Sequence, residues 1–104
     1  MCGRFSNPKD NSEIKRKIDF IDRAPYSAPR YNIAPRQQVP VIYSENVQPI
    51  LKMMRWGLIP SWAKDEKNGD NLINARCETI FEKPSFRQPI QRQRCLIPAD
   101  GFFE

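Results

Sequence analysis

The sequence predicts an α+β domain, mostly antiparallel β with short helices, and three observations predict it. Ile14, Ile18 and Ile21 fall at i, i+4 and i+7, the spacing of one apolar helix face. Two strand-like runs, Val39 to Tyr43 and Pro49 to Trp56, flank a polar turn at Ser44-Glu45-Asn46. Further along, Leu72 to Ala75, Arg94 to Ile97 and Phe102 to Glu104 read as three more short strands.

Taken in order, the first element is an amphipathic helix from about Ser12 to Asp22, capped by Asn7 or Ser12. Pro25, Pro29, Pro35 and Pro40 then punctuate the chain, so the spacing predicts an extended loop laid over a surface. After the two central strands, Leu58 to Trp62 is apolar with Pro60 inside it, which reads as an edge strand or a loop. Lys64 to Asn71 is a polar surface loop. Lys83 to Ile90 reads as a short helix with Pro84 in its first turn. The last two strands sit either side of a Pro98–Gly101 turn. No repeat, low-complexity tract or linker divides residues 1–104, so they read as one domain. The chain stops within what looks like a buried strand, and we expect the front half of something longer.

Composition narrows the partners. The 104 residues carry a net charge of +5 and a pI near 9.4, which favours an anionic partner. Between Lys83 and Ala99 there are four positive residues, Lys83, Arg87, Arg92 and Arg94, and no carboxylate. Charge alone leaves nucleic acid and an ordinary solvated face both open. Cys2, Cys77 and Cys95 form no CxxC pair and there is no histidine, so a zinc site lacks its usual ligands. We expect no metal, no cofactor and a reduced, cytoplasmic setting. No apolar run has signal-peptide or membrane-spanning length, so no membrane partner is expected.

The most informative residue is Cys2, directly behind Met1. If Met1 is removed, one residue carries a free α-amine and a thiol two carbons apart. That 1,2-aminothiol reacts distinctively with an aldehyde, the amine forming a Schiff base and the thiol closing a thiazolidine ring. A free α-amine titrates near about 7.7–8.0 and a free thiol near about 8.5, so neither needs a large shift to act at neutral pH. While Met1 stays attached, the nitrogen is an amide and the reaction is closed.

Five segments, read together, carry a resemblance. They are Met1-Cys2-Gly3-Arg4-Phe5, Tyr31-Asn32-Ile33-Ala34-Pro35, Arg55 to Ala63, Ile73 to Thr79 (Ile-Asn-Ala-Arg-Cys-Glu-Thr) and Arg94 to Glu104. In that order they resemble the SRAP family of abasic-site processing proteins, over about the N-terminal half of a typical member. The resemblance implies a barrel-like fold and loss of Met1, with autopeptidase and lyase activity in the DNA damage (SOS) response. It implies single-stranded DNA containing abasic sites as the partner, whose ring-opened aldehyde Cys2 captures covalently. It implies a nucleoid-associated location. By residue, it makes Asn74 the amide that orients the sugar or steadies developing charge. Glu104, after two phenylalanines, becomes the proton donor, its carboxyl raised by desolvation. Arg4 and Arg76 become phosphate contacts, and Trp62 and Pro35 pack against bases. Trp56 reads as core, and Glu78 as a partner that positions Arg76.

The family also carries a catalytic histidine in its C-terminal half, which these residues do not contain. A complementary chain, or that half, is therefore a further expected partner. Two alternatives stand beside this reading. One is a non-catalytic single-stranded DNA-binding fragment. The other is an N-terminal-nucleophile glutamine amidotransferase, whose chains also open with Met-Cys-Gly.

Overall fold

The computed structural model describes residues 2–24, 29–65 and 72–103. Among these residues nine elements follow one another: β1 (Phe5–Asn7), α1 (Asn11–Lys15), β2 (Ile21–Asp22), β3 (Arg30–Ile33), β4 (Gln38–Glu45), β5 (Gln48–Arg55), α2 (Pro89–Arg92), β6 (Cys95–Leu96) and β7 (Gly101–Phe102). The α+β class is as predicted. Among the described residues the strands close no barrel and form two open sheets, one ordered β3-β1-β7 and the other β2-β5-β4-β6.

The centre is the β4–β5 hairpin, in register from Gln38↔Arg55 to Glu45↔Gln48. Its two-residue loop puts Asn46 and Val47 at φ 50 and 68, the left-handed pair that matches the twist of the flanking strands. β4 is buried on both faces. Val39 and Val41 join Phe5 of β1 and Ile33 of β3 in one apolar cluster, which holds the two sheets together. Ile42 turns to the other face and meets Leu51, Ile14 and Phe20. Full burial of Ile33, Val39, Ile50 and Leu51 contributes about 1.5–3 kcal/mol for each side chain. Pro40 lies within β4, where β6 covers only Ile42 and Tyr43, so one side of the strand at Pro40 needs no donor.

Several expectations change. The helix is Asn11–Lys15 alone, capped by the Asp10 carboxylate accepting from the Glu13 N–H at 3.0 Å, not by Asn7 or Ser12. Of the three isoleucines only Ile14 is buried. Phe20 fills the place intended for the others, and Ile21–Asp22 pairs in parallel with Ile50–Leu51. Tertiary pairing overrides the helical period there. The proline-punctuated loop contains a strand, β3, paired with β1. Leu58 to Trp62 is a loop. Leu72 to Ala75 is not a strand, because its carbonyls accept from elsewhere: Leu72 from the Leu58 N–H and Ile73 from the Trp56 indole. The predicted helix from Lys83 to Ile90 is a chain of turns, with α2 displaced to Pro89–Arg92. Pro84 and Pro89 each delete a donor from that ladder. Finally, two strands flank a turn near the expected place, with Gly101 in β7 and not in the turn, but β6 and β7 go to different sheets.

Candidate active site

The N-terminal segment is held from three sides. β1 is the middle strand of its sheet, with Phe5 opposite Ile33 on one side and Phe102 on the other. The Arg4 carbonyl accepts from the Phe103 N–H at 2.9 Å and the Ser6 carbonyl from the Asp100 N–H at 2.8 Å. Lys9 forms an ion pair with Asp100 at the far end of the strand. A terminus tied in this way does not fray like an ordinary one.

Cys2 is half-buried against the Phe5–Ile33–Val39–Val41 cluster. Its Sγ donates to the Arg4 carbonyl at 3.6 Å, and its own carbonyl accepts from Asn74 Nδ2 at 2.7 Å. Asn74 is therefore brought to Cys2 across 72 residues of sequence, and its side chain bonds to backbone. Trp56 fixes that approach. Its ring meets Phe5 edge-on with centroids 5.3 Å apart, and its indole N–H donates to the Ile73 carbonyl at 3.2 Å. Gly57, at φ 129, then turns the chain out of β5.

Arg4 is exposed and its Nη1 donates to Asn32 Oδ1 at 3.2 Å. Arg76 is also exposed, two residues beyond Asn74, and no side-chain partner holds it among the described residues. Glu78 does not pair with it, which corrects the positioning role expected of that carboxylate. Pro35 is half-buried in the turn between β3 and β4. Trp62 is 62 % exposed and lines a separate groove of about 510 Å³ with Arg87 and Arg92. Glu104 and Met1 lie outside the described residues. Among the described residues, no three His, Cys, Asp or Glu side chains come together as a metal site, and no helix is long and apolar enough to cross a membrane.

Two contributors were missed from the sequence. Nothing local marks Asn32, which reaches Arg4 only because β1 and β3 pair. Trp56 was read as core alone. Its indole bond to the residue before Asn74 makes it part of the site's frame.

The family model for SOS response associated peptidase (SRAP) matches residues 1–104. The chain belongs to the SRAP family. It is similar to the abasic site processing protein YoqW of Bacillus subtilis, with 47% identity covering all of this chain and 47% of that protein. It is similar to YoaM of the same organism at 48% identity, again over 47% of its length. The rat abasic site processing protein HMCES is 34% identical over all of this chain and 36% of its own length. A crystal structure of a protein from Bacteroides thetaiotaomicron superposes with a TM-score of 0.83 at 29% identity, covering 99% of this chain and 48% of that one. One from Bordetella bronchiseptica gives 0.76 at 27% identity, covering 99% and 50%. This SRAP chain thus spans about half the length of the relatives it matches. Membership sets aside the amidotransferase alternative, which shared only the opening tripeptide.

Proposed function

We propose that this SRAP chain takes part in abasic-site processing, binding single-stranded DNA and capturing the abasic aldehyde on Cys2 as a thiazolidine. The observation that carries the reading is the Asn74–Cys2 bond, which ties down the backbone of a half-buried cysteine whose Sγ donates to the Arg4 carbonyl. The names of the relatives supply the substrate, and the +5 charge suits a polyanion.

The steps balance without a redox partner. Hydrolysis of the Met1–Cys2 peptide consumes one water and frees the α-amine. That amine adds to C1 of the ring-opened sugar and loses water, giving a Schiff base. The thiol then adds across the carbon–nitrogen double bond. Sulfur bonds to C1, and the thiol proton ends on nitrogen. In this reading Asn74 fixes the Cys2 backbone, and Arg4 and Arg76 hold phosphates. Pro35 and Trp62 contact bases, and Glu104 delivers the proton that lets hydroxide leave as water. Lyase and autopeptidase activity and a nucleoid-associated cytoplasmic setting belong to the same proposal.

Intact mass after incubation with abasic single-stranded DNA tests it. The expected adduct equals protein without Met1 plus DNA minus one water, stable on a denaturing gel. Cys2→Ser should leave at most a Schiff base that needs a reducing trap. Active protein that retains Met1 would defeat the mechanism, and binding without any adduct would favour the non-catalytic alternative.

A further inference from the structure

Residues Ala34 to Gln37 form a turn closed by the Gln37 N–H to the Ala34 carbonyl at 3.3 Å. Pro35 presets its second position. The third is Arg36, at φ 74, in the left-handed region that favours glycine. The surroundings impose that conformation. The Arg36 N–H donates to the Trp56 carbonyl at 2.9 Å, and the Trp56 N–H to the Gln37 carbonyl at 3.0 Å. Gln37 Oε1 accepts from both the Ala34 N–H and Arg30 Nη2.

Arg36 is exposed, and the turn stands at the Cys2 end of its sheet. Continuing the Phe5↔Ile33 register places Ala34 opposite Arg4, and Trp56, bonded to the turn, also bonds to the residue before Asn74. No Asp or Glu occurs between Cys2 and Lys9, between Arg23 and Ser44, or between Asn46 and Lys64. The segments that build this end of the molecule thus carry Arg4, Arg30, Arg36, Lys52 and Arg55 with no Asp or Glu inside them.

We propose that Arg36 binds a backbone phosphate of single-stranded DNA next to the nucleotide held at Cys2. A glycine would fit this turn more easily but would present no guanidinium. The inference rests on the Cys2 reading for the identity of the nucleic acid. Strain of this kind persists where the surrounding structure over-determines it, often at ligand sites.

The test measures melting temperature and affinity for an unmodified single strand across a salt series, in the full chain. Arg36→Gly and Arg36→Asn both accept the left-handed backbone. Each is expected to keep or raise the melting temperature, while the salt slope falls by about 0.7, one single-strand phosphate contact. Arg36→Lys keeps the charge and should keep the slope. Unchanged slopes in the Gly and Asn variants overturn the proposal, as does a Lys variant as weak as Gly. Affinity loss that tracks a lower melting temperature in both uncharged variants makes the residue structural and also overturns it. Wild-type protein that crosslinks abasic DNA while Arg36→Gly keeps its slope defeats this inference alone. Wild-type protein that binds but never crosslinks defeats the Cys2 reading alone.

Discussion

Cys77 and Cys95 are internal controls for the chemistry assigned to Cys2. Both are free and exposed as residues, and neither carries an α-amine. Local packing pushes the Cys95 thiol up from its ordinary value, which lowers its thiolate fraction at neutral pH despite that exposure. A Cys77→Ser, Cys95→Ser double variant should therefore crosslink like the wild type, scored on a denaturing gel. Asn74 and Arg76 separate two roles that lie two residues apart. Asn74→Ala removes one hydrogen bond to the Cys2 carbonyl, worth about 1 kcal/mol, or roughly a fivefold slower crosslinking step. Its affinity for undamaged single strands should not change. Arg76→Ala should do the reverse, lowering affinity and flattening the salt slope by about 0.7 with little effect on the rate at saturation. If both variants shift rate and affinity together, the two residues act through a shared structural change. The chemistry proposed for Cys2 can be argued from the sequence because an aminothiol is a property of a single residue. How the residues around it meet was not legible there, because the Asn74–Cys2 and Arg4–Asn32 contacts cross 72 and 28 residues.

Among the elements, the β4–β5 hairpin was the most readable and α1 the least. The apolar runs of β4 and β5 stand where expected, although Ser44 and Glu45 pair in the strand and the turn is the two-residue Asn46-Val47 loop, whose length fixes the register. In α1 local signal and tertiary outcome conflict. Three isoleucines at helical spacing promised three turns, but the edge of β5 took Ile21–Asp22 as a parallel strand. Nothing local encodes that capture. The hairpin nevertheless contains one poor choice, Val47, a β-branched residue at φ 68 and 93 % exposed. Val47→Gly makes the loop Asn-Gly and should stabilise the chain by about 1 kcal/mol in denaturant unfolding. No gain would mean that the loop relaxes in solution. At α1, the Ser12 hydroxyl and then the Glu13 N–H hold the Asp10 carboxyl below its ordinary value of 3.8. A lowered folded-state value means the cap contributes fully above that ordinary value, and its contribution is lost as pH falls through the folded one. Asp10→Asn keeps an acceptor and should remove this part of the acid dependence. A difference in stability from wild type that stays constant down to low pH would show that the cap does not titrate as described.

At the scale of the whole molecule, the candidate site is built from both ends of the chain. β1 lies between β3 and β7, so the segment carrying Cys2 is an interior strand only once residues near 100 have paired with it. Composition and motifs could not show this, since β6 and β7 are two residues long and differ only in which sheet they join. The sheet assignment is made by long-range backbone pairing. The resulting dependence can be isolated at Phe103, whose N–H donates to the Arg4 carbonyl while its side chain is 54 % exposed. Phe103→Ala keeps that donor and removes a side chain already largely in water. Phe103→Pro deletes the donor, while its preference for an extended preceding residue suits Phe102 in β7. One backbone bond lost is worth about 1 kcal/mol. Its effect should fall on the Gly3–Arg4 stretch that holds Cys2 against the Phe5 cluster. With Phe103→Pro, the half-buried thiol should react faster with a small disulfide reagent, because it opens more often. The same variant should crosslink abasic DNA more slowly, because amine and thiol are less often in place together. Phe103→Ala should show neither change. These opposed shifts separate ordering of the nucleophile from simple access to it. If Phe103→Pro sped both reactions alike, burial would be hindering Cys2, and the anchoring given to β7 would be wrong.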